Sequence, residues 1–301
     1  MKLSGLHLLL TYRCDSECEH CFVWGSPQQQ GTMTLQDIEH ILEQARDTGT
    51  VRWIYFEGGE PFLYYPILLA GVRMAAGMGF QTGIVSNSYW ANSETDAVEW
   101  LRPFADFLQD LSVSSDIFHA NEPLSPQAAR AQAAAQRLGI PVGVIAVCQP
   151  EAGDASASLG QLPAGESRLM YRGRAAEVLA SRAVRRNWSE FTACPYEDLR
   201  DPERVHVDPF GHMHVCQGIS VGNLYRTALR DICQAYDPVA HDITGPLLEG
   251  GPAELVRRYG LPHEKDYADA CHLCYEARRA LRARFPHLLL PDQMYGLPGK
   301  V

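Results

Sequence analysis

The sequence predicts an α/β fold: an open, partial barrel of six strand–helix units around a parallel sheet, followed by a small α+β unit. Three observations carry this. Over roughly the first 185 residues, short apolar runs alternate with amphipathic stretches, the pattern of repeated βα units. The chain has 301 residues, 46% of them hydrophobic, enough for one large domain or for a large and a small one. After Trp188 the pattern gives way to short strands, a β-turn and further helices. A core of residues 1–187 and a second unit of residues 188–301 are therefore expected.

Taken in order, Leu6 to Thr11 is a buried strand that runs into a cysteine-rich loop. Thr34 and Asp37 form a capping box for a helix with Leu35, Ile38, Leu42 and Ala45 on one face. Val51 to Phe56 is the second strand, ahead of Gly58-Gly59-Glu60-Pro61. A helix around Ile67 to Met78 and a strand around Gln81 to Val85 follow. Ser93 and Asp96 cap a helix carrying Val98 and Leu101, and a strand near Leu111 to Val113 leads to Ser114-Ser115-Asp116. Ser125-Pro126 opens the next helix, Gly139 stops it, and Val142 to Val147 is the fifth strand. Residues 150–167, rich in Gly, Ala, Ser and Pro, are expected to form a loop before a last core unit that begins near Leu169. Arg204 to Val207 and His212 to Val215 are short strands joined by the turn Asp208-Pro209-Phe210-Gly211. Gly222-Asn223-Leu224 leads a short helix to Cys233, and a long helix is expected over Tyr267 to Phe285.

Composition narrows the function. A formal net charge of −10 argues against nucleic acid or an anionic membrane as partner. No run approaches the roughly twenty apolar residues that span a bilayer, and the N-terminal apolar run carries no cleavage pattern. A soluble, cytoplasmic protein is expected. Nine cysteines, an odd number without an export signal, point to metal in a reducing compartment rather than to disulfides.

Cys14, Cys18 and Cys21 form a C-x3-C-x2-C triplet after the first strand. Three soft thiolates suit an iron–sulfur cluster, and because a cubane needs four ligands one iron is left open. A zinc site needs a fourth ligand, for which His20 is awkwardly placed beside Cys21. With Phe22 after the last cysteine and Gly58-Gly59-Glu60-Pro61 after the second strand, the chain resembles the radical S-adenosylmethionine (radical SAM) superfamily. The resemblance implies that Cys14, Cys18 and Cys21 hold a [4Fe–4S] cluster whose open iron is chelated by SAM. It also implies that Phe22 lies near the adenine, and that Gly58, Gly59 and Glu60 contact the SAM amino group through backbone oxygen and carboxylate. The expected chemistry is reductive cleavage of SAM to methionine and a 5′-deoxyadenosyl radical, which takes a hydrogen atom from substrate. An external electron donor of flavodoxin or ferredoxin type would supply the electron.

Cys194, Cys216, Cys271 and Cys274 form a second set, spaced C-x21-C-x54-C-x2-C. Four soft ligands close a cubane or bind tetrahedral zinc. Cys194, then Gly211 with four residues before Cys216, resembles the opening of the SPASM and Twitch extensions that follow radical SAM cores. A count of four favours Twitch, with one auxiliary [4Fe–4S] cluster. Cys148 and Cys233 read as packing residues.

Further candidates sit at strand ends. Ser86 and Asn87 end the third strand, and Ser114 and Asp116 the fourth. They are either ribose and carboxylate partners or ordinary turn formers. Asp116 and His119 form either a proton-transfer pair or part of a solvated loop. Arg168, Arg172, Arg174, Arg182, Arg185 and Arg186 make a basic stretch in an acidic chain. Tyr171-Arg172-Gly173-Arg174-Ala175 resembles the last-strand segment that precedes auxiliary domains. One arginine there, Arg172 or Arg174, would bind the SAM carboxylate or an anionic substrate, and the others line a solvated helix face.

The expected function is oxidation of a substrate, a small molecule or a peptide, by two electrons, with the auxiliary cluster taking the second electron. The rival within enzymes is crosslinking of a ribosomally made peptide. The first core strand begins near Leu6, so a separate partner is expected to supply recognition of such a peptide. A non-catalytic iron–sulfur protein for electron transfer or sensing is the rival from another class, and it leaves the open site beside Gly58-Gly59-Glu60-Pro61 without a purpose.

Overall fold

The computed structural model describes residues 1–120, 124–150 and 165–297. Strand β1 (Gly5–Thr11) is buried at every position, as a strand covered on both faces must be. Helix α1 (Leu35–Thr48) begins with the expected capping box: Asp37 N donates to the Thr34 hydroxyl while Thr34 N donates to the Asp37 carboxylate. Then come β2 (Trp53–Gly58), α2 (Tyr65–Gly77), β3 (Gln81–Ser86) and α3 (Glu94–Leu101), capped by Ser93. β4 (Leu108–Ser114) leads to the short α4 (Ile117–Ala120), and α5 (Pro126–Arg137) to β5 (Val142–Val147). β6 (Gly165–Ser167) pairs in parallel with β5. It lies just before Leu169, where the last unit was expected to begin; most of the expected 150–167 loop falls outside the described residues.

The second half contains α6 (Arg174–Val178), β7 (Arg186–Asn187), β8 (Arg204–Val207), β9 (His212–Cys216) and β10 (Ile219–Asn223). Helices α7 (Leu229–Ala235) and α8 (Thr244–Tyr259), the short strand β11 (Asp266–Tyr267) and α9 (Ala270–Leu281) complete it. Several short elements, α4, β6, β7 and β11 among them, escaped the sequence reading, and so did two longer ones. β10 is five residues with a glycine inside, and α8 is broken at Gly250–Gly251, so neither shows a clean period. The expected long helix starts three residues later than Tyr267, because Asp269 caps it by accepting from His272 N, and it ends at Leu281.

The main sheet has nine strands in the order β10-β9-β8-β1-β2-β3-β4-β5-β6. β1 to β6 run parallel, each beside its predecessor, as right-handed βα crossovers produce. β8 also runs parallel to β1, on its other side, and β9 and β10 return antiparallel. The strands after residue 188 thus extend the same sheet. One hydrophobic core includes Leu6 and Leu8 of β1, Val205 and Val207 of β8, and Leu273 of α9. Among the described residues, no helix is long and apolar enough to cross a membrane.

Candidate functional site

The carboxyl ends of β1 to β5 open into a cavity of about 260 Å³. Cys14, Cys18, Cys21 and Phe22 form one side, and Gly58, Gly59, Asn87, Ser114, Asp116 and His119 line it from the neighbouring strand ends. Donors already face the sulfurs: Gly25 N donates to Cys21 Sγ (3.2 Å), and Asn87 Nδ2 reaches Cys14 Sγ (3.7 Å). Asp116 is buried and accepts from Phe118 N and Val147 N (both 3.0 Å). Its Oδ1 lies 2.8 Å from His119 Nδ1, so the two residues are paired and the reading of His119 as a solvated loop residue is corrected. Burial opposes charge on His119, but the Asp116 hydrogen bond and the Cys18 sulfur raise its pKa to about 10.

Glu60 corrects the expectation of a direct ligand contact. Its side chain is fully buried, and the carboxylate accepts from Phe62 N (3.0 Å), Ser86 Oγ (2.9 Å) and Asn87 N (2.8 Å). It bolts the end of β2 to the end of β3, and so positions Asn87. Burial pushes its pKa up to about 7 against those three donors. The glycines before it also serve the chain itself. A Cβ on Gly59 would stand 2.1 Å from Arg13 O, and one on Gly58 2.3 Å from Thr11 O. The close approach is between β2 and the start of the cysteine loop, through Gly59 N to Thr11 O (2.7 Å) and Glu60 N to Arg13 O (2.9 Å).

The four distant cysteines meet. Cys194, Cys216, Cys271 and Cys274 surround a second, small cavity of about 20 Å³ together with Arg172 and Arg278. Cys271 and Cys274 lie at the start of α9, whose N-terminal dipole favours thiolates. Cys216 ends β9, and the backbone before Cys194 is held by Ala253 N donating to Phe191 O (3.1 Å) across the break in α8.

Arg172-Gly173-Arg174 straddles the two sets. Gly173 has φ of +61° and presses on the loop of the triplet: a Cβ there would stand 2.6 Å from Cys21 O and 2.7 Å from the Phe22 Cα. Arg174 turns to the triplet. Its guanidinium donates to Cys18 O (2.7 Å) and Gly25 O (2.8 Å) and lies over Trp24. It does not line the cavity, so it is corrected from ligand-binding candidate to the clamp on the cysteine loop. Arg172 turns the other way, to Glu197 Oε1 (3.2 Å) and Cys216 Sγ (3.7 Å), with the Phe22 ring 5.3 Å from its guanidinium carbon. Neither lines the solvated helix face; both are buried.

Residues 8–150 match the model of the Radical SAM superfamily. The chain carries a radical SAM domain. Over 112 residues, 37% of this chain and 35% of the relative, it is 28% identical to YydG of Bacillus subtilis (strain 168), a protein named for peptide biosynthesis. Over 82 residues, 27% of this chain and 29% of the relative, it is 32% identical to the S-adenosylmethionine-dependent nucleotide dehydratase of Selenomonas ruminantium. The match thus spans about a third of the length of these curated relatives. Streptococcus suis SuiB, solved bound to S-adenosylmethionine, shares the fold: TM-score 0.55 at 14% identity, over 85% of this chain and 74% of SuiB.

A radical SAM domain implies SAM and one [4Fe–4S] cluster, and the residues here fit such a group. Three thiols converge on an open cavity, donors point at their sulfurs, and Arg174 fixes the loop they sit on. The cavity also holds residues that sequence reasoning missed. His7, Glu57 and His206 face the cavity from β1, β2 and β8. Glu57 Oε1 lies 3.3 Å from His7 Nδ1 and 2.9 Å from His206 Nε2. Burial would raise the Glu57 carboxyl, but the two imidazoles outweigh it and hold it below the usual range. A signal existed: His7 is the one polar side chain inside an apolar run, at an inward position of the strand. Asp208, His212 and His214 form a comparable set away from the cavity, with Tyr12 donating to the same carboxylate (3.1 Å).

Proposed function

We propose that this protein is a radical SAM oxidoreductase that removes a hydrogen atom, an electron and a proton from its substrate. In this reading Cys14, Cys18 and Cys21 hold the SAM-binding cluster, and Cys194, Cys216, Cys271 and Cys274 hold an auxiliary [4Fe–4S] cluster in residues 188–301. The supporting observation is the wall between the two cavities. Arg172, Tyr196 and Glu197 line both, so a substrate in the larger cavity is one side chain away from the second cysteine set. When bound, SAM and its cluster supply the 5′-deoxyadenosyl radical for hydrogen abstraction. The chain's own residues do the rest. Arg174 and Gly25 N hold the cysteine loop, while Asn87, Ser114 and Asp116 present polar atoms to the cosubstrate. The two electrons leave separately, one with the hydrogen atom and one to the auxiliary site, and the proton passes to water. A flavodoxin- or ferredoxin-like donor outside the chain provides the reducing electron.

A second reading, crosslinking of a ribosomally made peptide, is favoured by the likeness to YydG. The same two sites would serve it.

The test is anaerobic reconstitution of wild type and of Cys14→Ala/Cys18→Ala/Cys21→Ala, followed by iron analysis and by measurement of 5′-deoxyadenosine under dithionite. About eight irons in wild type and about four in the variant are expected, with SAM cleavage in wild type alone. A variant that holds only zinc removes the oxidising role of the second site. Screening of small alcohols against short peptides then separates the two substrate classes.

A further inference from the structure

We propose that Arg172 sets the electron affinity of the second cysteine site, and so how readily that site accepts the substrate's second electron. The inference rests on the reading of that site as a [4Fe–4S] cluster. Arg172 is buried, and one of its nitrogens, Nη1, contacts both Cys216 Sγ (3.7 Å) and Glu197 Oε1 (3.2 Å). Its other side faces Phe22, the residue after the last triplet cysteine, and it lines both cavities. Arginine stays charged in any protein setting. Reduction adds one negative charge to the site, and a fixed cation at a ligand sulfur favours the more negative state. An N–H donated to that sulfur acts in the same direction. Burial strengthens the effect, because little water is present to screen it.

Glu197 makes the geometry a balance of charges. Its carboxylate sits on the same nitrogen and opposes the field that Arg172 casts on Cys216. The two residues therefore have opposite predicted signs, which a merely structural role would not give. Arg278, the second guanidinium on that cavity, donates to Cys274 O (3.3 Å) and Gln217 O and holds the loops that carry the ligands. It keeps the site assembled when Arg172 is changed.

The experiment uses the full chain in the Cys14→Ala/Cys18→Ala/Cys21→Ala background, reconstituted anaerobically, so that only the second site is titrated. Its midpoint potential is followed by electron paramagnetic resonance. Arg172→Gln should weaken electron acceptance about tenfold, a fall of about 59 mV for a one-electron couple. Arg172→Lys, which keeps the charge and loses the planar fork, should recover most of that fall. Glu197→Gln should move the midpoint the other way. The inference is overturned if loaded Arg172→Gln and Glu197→Gln both leave the midpoint in place, or both move it in the same direction. Should Arg172→Gln fail to load, the sign of the Glu197→Gln shift decides alone. A parent background without about four irons defeats the cluster reading itself, and that failure is visible before any variant is made.

Discussion

The two cysteine sets solve opposite problems. The triplet draws three thiols from one eight-residue loop and leaves its cavity open, about 260 Å³ in volume. The second set draws four thiols from three distant elements and closes to about 20 Å³ around them, with two buried guanidiniums. On the reading proposed above, the open site takes a ligand that comes and goes, and the closed site holds a charge away from water. The contrast teaches that ligand count and cavity volume, taken together, separate a reactive centre from a supporting one.

The sharpest way to break the contrast is to remove the triplet. Cys14→Ala/Cys18→Ala/Cys21→Ala should lower reductive SAM cleavage to the level without protein, while the second site keeps about four irons. Iron lost from both sites would mean that the two are one assembly unit. Cys271→Ala/Cys274→Ala should do the reverse. About four irons remain at the triplet, SAM cleavage persists, and the melting temperature falls by about 5–10 °C as the metal tie between sheet and α9 is lost. A melting temperature that stays unchanged would show that the second site bears no load.

Arg174→Ala sharpens the picture of the triplet loop. It leaves Cys18 O and Gly25 O without their charged donor, at a cost of about 3–5 kcal/mol in urea unfolding of the metal-free protein. Chelators should then strip iron from the triplet faster than from the second set. Equal stripping rates would count against the clamp.

The smallest effect is at Asp208, near neither cavity. Burial would raise its carboxyl, but the hydrogen bonds from His212 and His214 outweigh it, and the group sits below the usual range. A carboxylate with a depressed folded pKa stabilises the protein above the unfolded value, and that contribution disappears as pH falls through the folded one. Asp208→Asn should therefore cost about 1–3 kcal/mol at pH 7 and progressively less below about pH 4. A cost independent of pH would mean that shape rather than charge matters there.

Much of this was legible because it is local. The triplet, the Thr34 capping box and the strands up to Val147 each depend on neighbours within a few residues, and all stand where the sequence put them. The convergence of Cys194, Cys216, Cys271 and Cys274 was legible as a ligand count, but their shared cavity with Arg172 depends on how β9 and α9 pack. Glu60 was misread because a carboxylate after two glycines looks the same whether it faces a ligand or three internal donors. The His7–Glu57–His206 set was missed because its members lie 50 and 149 positions apart, and only the β2-β1-β8 order brings them together. α8 was missed because Gly250-Gly251-Pro252 reads as a break, and a break is there.

Strand β1 has a consequence beyond its burial. Its end launches the loop of Cys14, and its far neighbour β8 turns into β9, which ends at Cys216. Four consecutive pairings, Gly5 with Arg204 through Leu8 with Val207, lock β8 to β1, and antiparallel β9 carries Cys216 back along that ladder. The separation of the two cysteine sets is thus fixed by a backbone ladder rather than by a linker. On the reading proposed above, any electron crossing between them would meet a gap that is a constant of the fold.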